Sequence, residues 1–552
     1  MRRAAWFMAA AALAGSARGQ EVFRHLLIPA NFPDAVSNIA REELDRFYNA
    51  ESYARRGAAR SVRDWVDEVS AGRTDLATTV VDWVTLPQPT DYYKQAGFSQ
   101  GPYLLARDAV RSLEDRGFDF APLDNDGDSV IEMVGVIYRG PASRFGTGDG
   151  PRWTQQPTLA PEEPVAGGRV KKTYIIWDYF PANDSMVDLG AVTHEGLYHA
   201  FGGLADVVGY NAGWWHSVGI DAPSHFSAYA KLLMGWVDVV DIESPAALAI
   251  APVYSAPTVY RLWIDPWREH EFFLLEHRRP FGADAVLPGQ GLLIWHIDEL
   301  ADQTRFERLE EADGLEELAV DTMGVGFGAA NAGDPFPGST GNTSFTPSSS
   351  PSSASNAGRA TGIVIENIRL EAGVVRLDAT PSAELRGFTL GYDETYPRFQ
   401  ALWAPAEGSA EGGHVAVRFT SAGAAWVRRV RFAIVIPGTY AYEVRLFGDF
   451  EPGMTIPEPP RYEGSGTAAG DFEWTTHEVT EPALIGAGES FVVDLVLAPA
   501  APTVDYWGRA AGRSFFRAAG ESAYRPVLYD FRLRVSLEPA AANAAHRWTA
   551  RR

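Results

Sequence analysis

Ala191-Val192-Thr193-His194-Glu195-Gly196-Leu197-Tyr198-His199-Ala200-Phe201-Gly202-Gly203-Leu204-Ala205-Asp206 gathers two of the chain's 11 histidines, a glutamate between them, a glycine pair and an aspartate. Imidazole and carboxylate are donors that hold a zinc ion, and a glutamate beside the first histidine is placed to serve as a base. Spacing dictates how the backbone must run. Two ligands on one face of an α-helix stand four residues apart, roughly 40° around its axis. His194 and His199 stand five apart, and a regular helix would separate their rings by roughly 140°. A single π-helical turn, hydrogen-bonded i→i+5, absorbs the extra residue and returns both rings to one face. A zinc site on His194 and His199, with Glu195 as the candidate base, therefore requires a bulged helix.

The rest of the composition narrows the setting. A chain of 552 residues exceeds one hydrophobic core, and 46% hydrophobic with 12% aromatic residues is enough to fold more than one domain. The net charge of −23 argues against nucleic acid and anionic membrane surfaces as partners, since both would repel it. There is no cysteine, so any metal must be held by imidazole and carboxylate. Arg2 and Arg3 precede an apolar run from Ala4 to Ala14, and Ala17-Arg18-Gly19 offers a small-x-small cleavage pattern. Residues 1–19 read as a signal peptide, which implies a secreted or cell-surface protein. No later segment is long and apolar enough to span a bilayer.

Outward from the histidine stretch the pattern alternates. Phe23 to Pro33 reads as a buried strand, residues 38–70 as helical with Gly72 placed to end the helix, Val80 to Leu86 as a strand and Tyr103 to Arg116 as an amphipathic helix. Strands over Ile131–Tyr138 and Tyr174–Asp178 bracket a glycine- and proline-rich loop. A helix over Ser227–Val237 closes on Gly235, and strand-rich sequence runs from Leu248 to Asp298. The serine-rich run Ser348 to Asn356 reads as a surface loop. Alternation of this kind predicts an α/β or α+β catalytic-type domain over residues 20–383.

At Asp124-Asn125-Asp126-Gly127-Asp128-Ser129-Val130-Ile131-Glu132 the chain places carboxylates at positions 1, 3, 5 and 9 of a turn. Asp124, Asp126, Asp128 and Glu132, with the Val130 carbonyl at position 7, are the hard oxygen donors that calcium takes. Gly127 at position 4 and the lack of a glutamate at position 12 predict a calcium loop that feeds a strand. From about Arg386 short alternating segments such as Val415-Ala416-Val417-Arg418-Phe419 and Phe491-Val492-Val493-Asp494-Leu495 predict an all-β sandwich over residues 386–552.

With these residues in hand, the first domain resembles the M6 family of secreted zinc metallopeptidases, the immune inhibitor A type. The likeness covers roughly residues 22 to 380. It rests on Ser61-Val62-Arg63-Asp64-Trp65, Asp124-Asn125-Asp126-Gly127-Asp128, the His194 to Asp206 stretch, Ala228-Tyr229-Ala230-Lys231-Leu232-Leu233-Met234-Gly235-Trp236, Leu292-Leu293-Ile294-Trp295-His296-Ile297-Asp298-Glu299 and Gly333-Asp334-Pro335-Phe336-Pro337-Gly338. The resemblance implies a zincin-like α+β fold with a mixed sheet and an active-site helix, and the motif H-E-x-x-H-x-x-G-x-x-D, with both histidines and the aspartate on zinc and the glutamate activating water. Here one extra residue separates the histidines and one more separates His199 from Asp206. The turn at Trp215-His216-Ser217-Val218-Gly219 lacks the usual methionine. The sandwich is similar to β-sandwich modules appended to secreted bacterial proteases, on Pro437-Gly438-Thr439-Tyr440 and Gly512-Arg513-Ser514-Phe515-Phe516.

The resemblance thus implies a hydrolase, a secreted metalloendopeptidase acting on protein or peptide substrates, with a glycan or surface ligand as the candidate partner of the sandwich. The alternative is a catalytically impaired pseudopeptidase acting as an extracellular binding protein, its helix regular and its histidines ordinary polar groups. A third arrangement puts zinc on Glu195, His199 and Asp206 and leaves no base in the usual place. His216 and His225 are candidate substitute ligands. His296, beside Asp298 and Glu299, reads as structural or as part of an oxygen-rich cation site. Trp214 and Trp215 are candidates for a substrate wall.

Overall fold

The computed structural model describes residues 21–539 apart from 55–59, 126–128, 132, 140–157, 179–188, 190–191, 194–222, 266–269, 300, 302–305, 316–329, 384–387, 392–413, 422, 434–437, 450–458, 471–473, 498–505, 508–513, 518–524, 527–529 and 532. Strand β1 (Glu21–Asn31) is the spine of the first sheet. It runs parallel to β2 (Thr74–Val80), to β3 (Val84–Thr85) and to β5 (Val134–Tyr138). In turn β5 runs parallel to β7 (Gly168–Trp177), which also takes β4 (Val130–Ile131) parallel and β6 (Thr158–Val165) antiparallel.

Side chains alternate across a strand, so β1 feeds two cores. Phe23 and Leu27 pack with α1 (Arg41–Asn49) and α2 (Val62–Val69), while Leu26, Ile28 and Ala30 pack with α4 (Gly97–Glu114) on the other face. A short α3 (Thr90–Gln95) precedes α4. Helices on both faces are what a largely parallel sheet needs to bury its strands.

Beyond α5 (Ala228–Leu233) the chain is β-rich. A five-stranded sheet holds β8 (Asp238–Asp241), β10 (Thr258–Trp263), β11 (Glu271–Arg278), β12 (Gly291–Asp298) and β13 (Glu307–Leu309), in the order β13-β12-β11-β10-β8. Every residue of β11 and β12 is buried. Phe272, Leu274 and Trp295 face the core shared with α1 and α2. Phe273, Leu275 and Ile294 face a second core with β9 (Ala246–Ile250), β14 (Val364–Glu371) and β15 (Val374–Thr380), which form a three-stranded sheet. The strand-rich C-terminal part has two antiparallel sheets around one core. One is β16 (Phe388–Gly391), β27 (Leu533–Pro539), β18 (Ala425–Ala433) and β21 (Trp474–Ile485). The other is led by β20 (Tyr462–Gly470), β19 (Gly438–Gly448), β22 (Ser490–Leu497) and β17 (His414–Thr420). The architecture is mainly β.

Several expected elements shift. Residues 38–70 form two helices, because Ser52 takes a positive φ of 57° and Ser61 starts a new helix by accepting the Asp64 N–H on its hydroxyl. The helix ends where Ala71 and Gly72 both turn left-handed, at φ 54° and 70°, and the Gly72 N–H bonds the Asp67 carbonyl at 2.7 Å. The strand expected over Val80–Leu86 is instead β2 and β3, two partners of one strand, with the chain leaving the ladder between them. The helix expected from Tyr103 starts at Gly97 and runs through Pro102. The serine-rich run is tied down: Ser353 and Ser355 are buried, and Ser353 Oγ donates to the Ile363 carbonyl at 2.7 Å. No helix among the described residues is long and apolar enough to cross a membrane.

Candidate functional site

His194, Glu195, His199 and Asp206 lie outside the described residues, as do Trp214, Trp215 and His216. Both flanks of that stretch are described. Val192 and Thr193, the two residues before His194, are buried and π-helical. On the far side Phe226 and the start of α5 sit in the same core as Val192 and Leu189.

The far flank is held by polar contacts. The Trp65 indole N–H donates to the Pro223 carbonyl at 2.9 Å, which gives the tryptophan of Ser61–Trp65 a structural task. Arg278 donates to the carbonyls of His225 at 3.3 Å and Phe226 at 3.4 Å, while Asp284 accepts the His225 N–H at 2.9 Å. Arg278 and Asp284 pair through two bonds of 2.5 Å, fork to carboxylate. Lys231, on α5, meets Glu276 at 2.5 Å with both side chains fully buried, and the Trp295 indole donates to the same glutamate at 2.9 Å. Burial pulls the Lys231 amine below its ordinary range against the pull of Glu276. Burial would raise Glu276, but Lys231 and Arg278 hold it below the usual carboxylate range. A buried ion network therefore fastens α5 to β11 and to the segment before the helix.

His225, a candidate substitute ligand, makes no hydrogen bond through either ring nitrogen among the described residues. Its ring is buried, with Nε2 at 3.7 Å from Glu68 Oε1 on α2. Burial opposes ionisation of Glu68, yet the His225 ring, the Ala283 N–H at 2.5 Å and Arg60 together hold its carboxyl down to about 2. Gly282 is required beside it: at φ 59°, a Cβ there would lie 2.0 Å from Glu68 Oε1.

His296 is structural. Its Nε2 lies 2.9 Å from Glu271, and its Nδ1 lies 2.8 Å from Glu310 and 2.9 Å from Arg308 Nη2, so both ring nitrogens are already engaged by protein groups. Burial alone would lower its pKa, but the two carboxylates raise it. The once low-complexity loop completes the arrangement, since Asn356 N–H donates to Glu271 Oε1 at 2.6 Å and Asn356 Nδ2 to Asp298 Oδ2 at 3.1 Å. Glu299 instead accepts the Tyr229 hydroxyl of α5 at 3.0 Å.

In the predicted calcium loop, Asp124 and Val130 are described, whereas Asp126, Asp128 and Glu132 lie outside the described residues. Asp124 Oδ2 accepts the Ser129 N–H at 2.7 Å, and Ser129 at φ 66° turns the chain into β4, the strand expected to follow. Asn125 spans the loop to β1, accepting the Arg24 N–H at 2.8 Å and donating to its carbonyl at 3.0 Å.

Two features escaped the sequence. Glu311, Asp313 and Asp334 bring carboxylate oxygens within 4.8 Å of one another, an oxygen-only donor set of the kind hard cations take. Their separation along the chain hid them, although Asp334 belongs to the Gly333–Gly338 run. Glu307 on β13 is fully buried, and burial pushes its carboxyl up to about 8. Nothing in its local sequence distinguishes it from a solvated glutamate.

No protein-family model and no curated protein matches the chain. Among solved structures, the cysteine protease and lectin-like domains of Cwp84, a surface layer associated protein of Clostridium difficile, align at 7% identity with a TM-score of 0.19, over 54% of this chain and 59% of that one. A Cry1Da tryptic core variant of Bacillus thuringiensis aligns at 10% identity with a TM-score of 0.14, over 45% of this chain and 40% of that one. The chain thus spans less than two thirds of either, and likenesses this slight carry no argument about fold or function.

Proposed function

We propose that the chain is an exported zinc metalloendopeptidase of the M6 type. The observation that carries the reading is the π-helical backbone of Val192 and Thr193 on the threshold of His194. A five-residue histidine spacing needs a widened helix, and π-helical turns concentrate at functional sites. The donor set fits zinc by type, being two imidazoles and a carboxylate with no thiolate in the chain.

In this reading His194, His199 and Asp206 hold the ion. When bound, it supplies Lewis acidity that brings the pKa of a coordinated water to about 7. Glu195 would serve as the base toward a water attacking a peptide carbonyl and would return the proton to the leaving amine. The buried network of Lys231, Glu276, Arg278 and Asp284 keeps the far flank fixed, so that the ligands keep their geometry. Residues 1–19 act as the export signal, the Asp124 loop takes calcium, and the β-sandwich presents a surface for a glycan or other extracellular ligand.

The test is cleavage of casein by zinc-loaded protein, with Glu195→Gln as the control that keeps shape and removes the base. Activity in the parent and none in Glu195→Gln supports the reading. An inactive parent that gains both zinc and cleavage when Leu197 is deleted marks a lapsed peptidase, the binding-protein alternative.

A further inference from the structure

The three-stranded sheet of β9, β15 and β14 buries Ile250, Val375, Leu377 and Ile365 on one side. Its other side borders a cavity of about 420 Å3, within the range of roughly 300–1,000 Å3 typical of small-molecule sites. Register decides what lines it. Arg369 of β14 stands directly opposite Arg376 of β15, and Arg376 stands opposite Ala249 of β9. Like charges directly opposed across a ladder repel, so an anion between these two half-exposed groups is favoured.

The protein supplies little. Glu371 Oε2 lies 3.0 Å from Arg376 Nε and 3.7 Å from Arg369 Nε, one oxygen shared between two cations. Arg369 also donates to the Asn367 carbonyl at 3.1 Å. Asp378, the other carboxylate lining the cavity, is engaged by Asn367 Nδ2 at 2.7 Å. Two guanidinium groups carry about ten N–H donors, and among the described residues only Glu371 and Asn367 accept from them. A β-bulge between Glu366 and Arg369, with Asn367 at φ 55°, re-aims this part of β14 toward the cavity. On the β9 side the exposed Ala247 and Ala249 leave a shallow apolar floor.

We propose that this cavity is a binding site for a ligand bearing a compact oxyanion, held by Arg369 and Arg376. The floor of Ala247 and Ala249 receives a carrier of about monosaccharide size. Planar and tetrahedral oxyanions both match the guanidinium fork. The proposal does not rest on the proposed zinc centre, and its failure would leave that reading untouched.

The experiment is calorimetric titration of the full chain at fixed ionic strength with inorganic phosphate, sulfate and glucuronate as probes. Saturable binding of at least one probe, one per chain, is expected. Arg369→Ala and Arg376→Ala should each weaken it at least tenfold, while Arg428→Ala, a distant arginine paired with Glu538, should leave it unchanged. Glu371→Gln removes the internal competitor without removing a donor partner and should tighten binding several-fold, so the proposal remains testable if an arginine variant fails to fold. Tightest binding of glucuronate supports a sugar-borne carboxylate, and tightest binding of phosphate or sulfate supports a tetrahedral anion. Binding of no probe, binding that survives both arginine variants, or weaker binding in Glu371→Gln would overturn the proposal.

Discussion

His25 on β1 and His296 on β12 are both completely buried, yet their pKa values shift in opposite directions. His25 stacks between Tyr48 and Tyr174 and bonds only neutral hydroxyls, Thr78 Oγ1 at 3.0 Å and Tyr174 OH at 3.1 Å. Burial then holds its pKa down to about 3. His296 is as deeply buried, but two carboxylates face it and its pKa rises instead. Burial sets the cost of charge, and the partners decide whether it is met. Histidines 194 and 199 are assigned a third state, neutral and metal-bound.

The comparison breaks most sharply where a charged partner is removed. Glu310→Ala should destabilise by about 2–3 kcal/mol near pH 6, as should Lys231→Met in the neighbouring network, because each removes one of the partners of a buried charge and leaves it only Glu271 or Arg278 as an oppositely charged partner. Chemical denaturation at pH 6 and pH 9 checks the first. His296 has a raised folded pKa, so its stabilisation is complete below the ordinary histidine value and is lost as pH rises through the folded value. The cost of Glu310→Ala should therefore shrink at pH 9, and an undiminished cost would mean His296 is not the proton carrier.

His25→Leu should cost about 2 kcal/mol near pH 7, from two lost hydrogen bonds. Its folded pKa is depressed to about 3, so the native chain loses stability as pH falls from about 6.5 toward that value. The variant should flatten that limb of the stability curve, the opposite slope to His296. Chelating calcium should lower the melting temperature by several degrees, since Asp124, Asp126, Asp128 and Glu132 are left to repel one another, and Asp126→Ala should reproduce the shift. Identical thermal scans with calcium and with chelator would remove the loop from the account. Smallest is Glu307→Gln: burial lifts the acid's folded pKa to about 8, above the ordinary glutamate range, so stability falls with rising pH across that window. The variant should gain about 1 kcal/mol at pH 8 and nothing below pH 4.

How legible each region was follows from the range of its interactions. The apolar run Leu26-Leu27-Ile28, the end of α2 at Gly72 and the alternation of Val415–Phe419 are local signals, and the structure follows them. Lys231 reads as an exposed helix residue because its partner Glu276 is 45 positions away. Ser353 and Ser355 read as surface because hydroxyls are polar, yet Ser353 is satisfied inside by the Ile363 carbonyl. The split of the expected strand into β2 and β3 comes from pairing with β1, which no local pattern records. The clamp that Trp65, Arg278 and Asp284 form after the histidine stretch was not readable, because its partners lie far apart along the chain.

The central claim is a metal held across a five-residue spacing, and zinc content tests it without reference to any substrate. The full chain, refolded with zinc, dialysed and analysed by plasma mass spectrometry, should carry about one zinc per chain. Glu195→Gln should retain it, and His199→Ala should lose it. Zinc near zero in the parent, or a full complement surviving His199→Ala, would contradict the account.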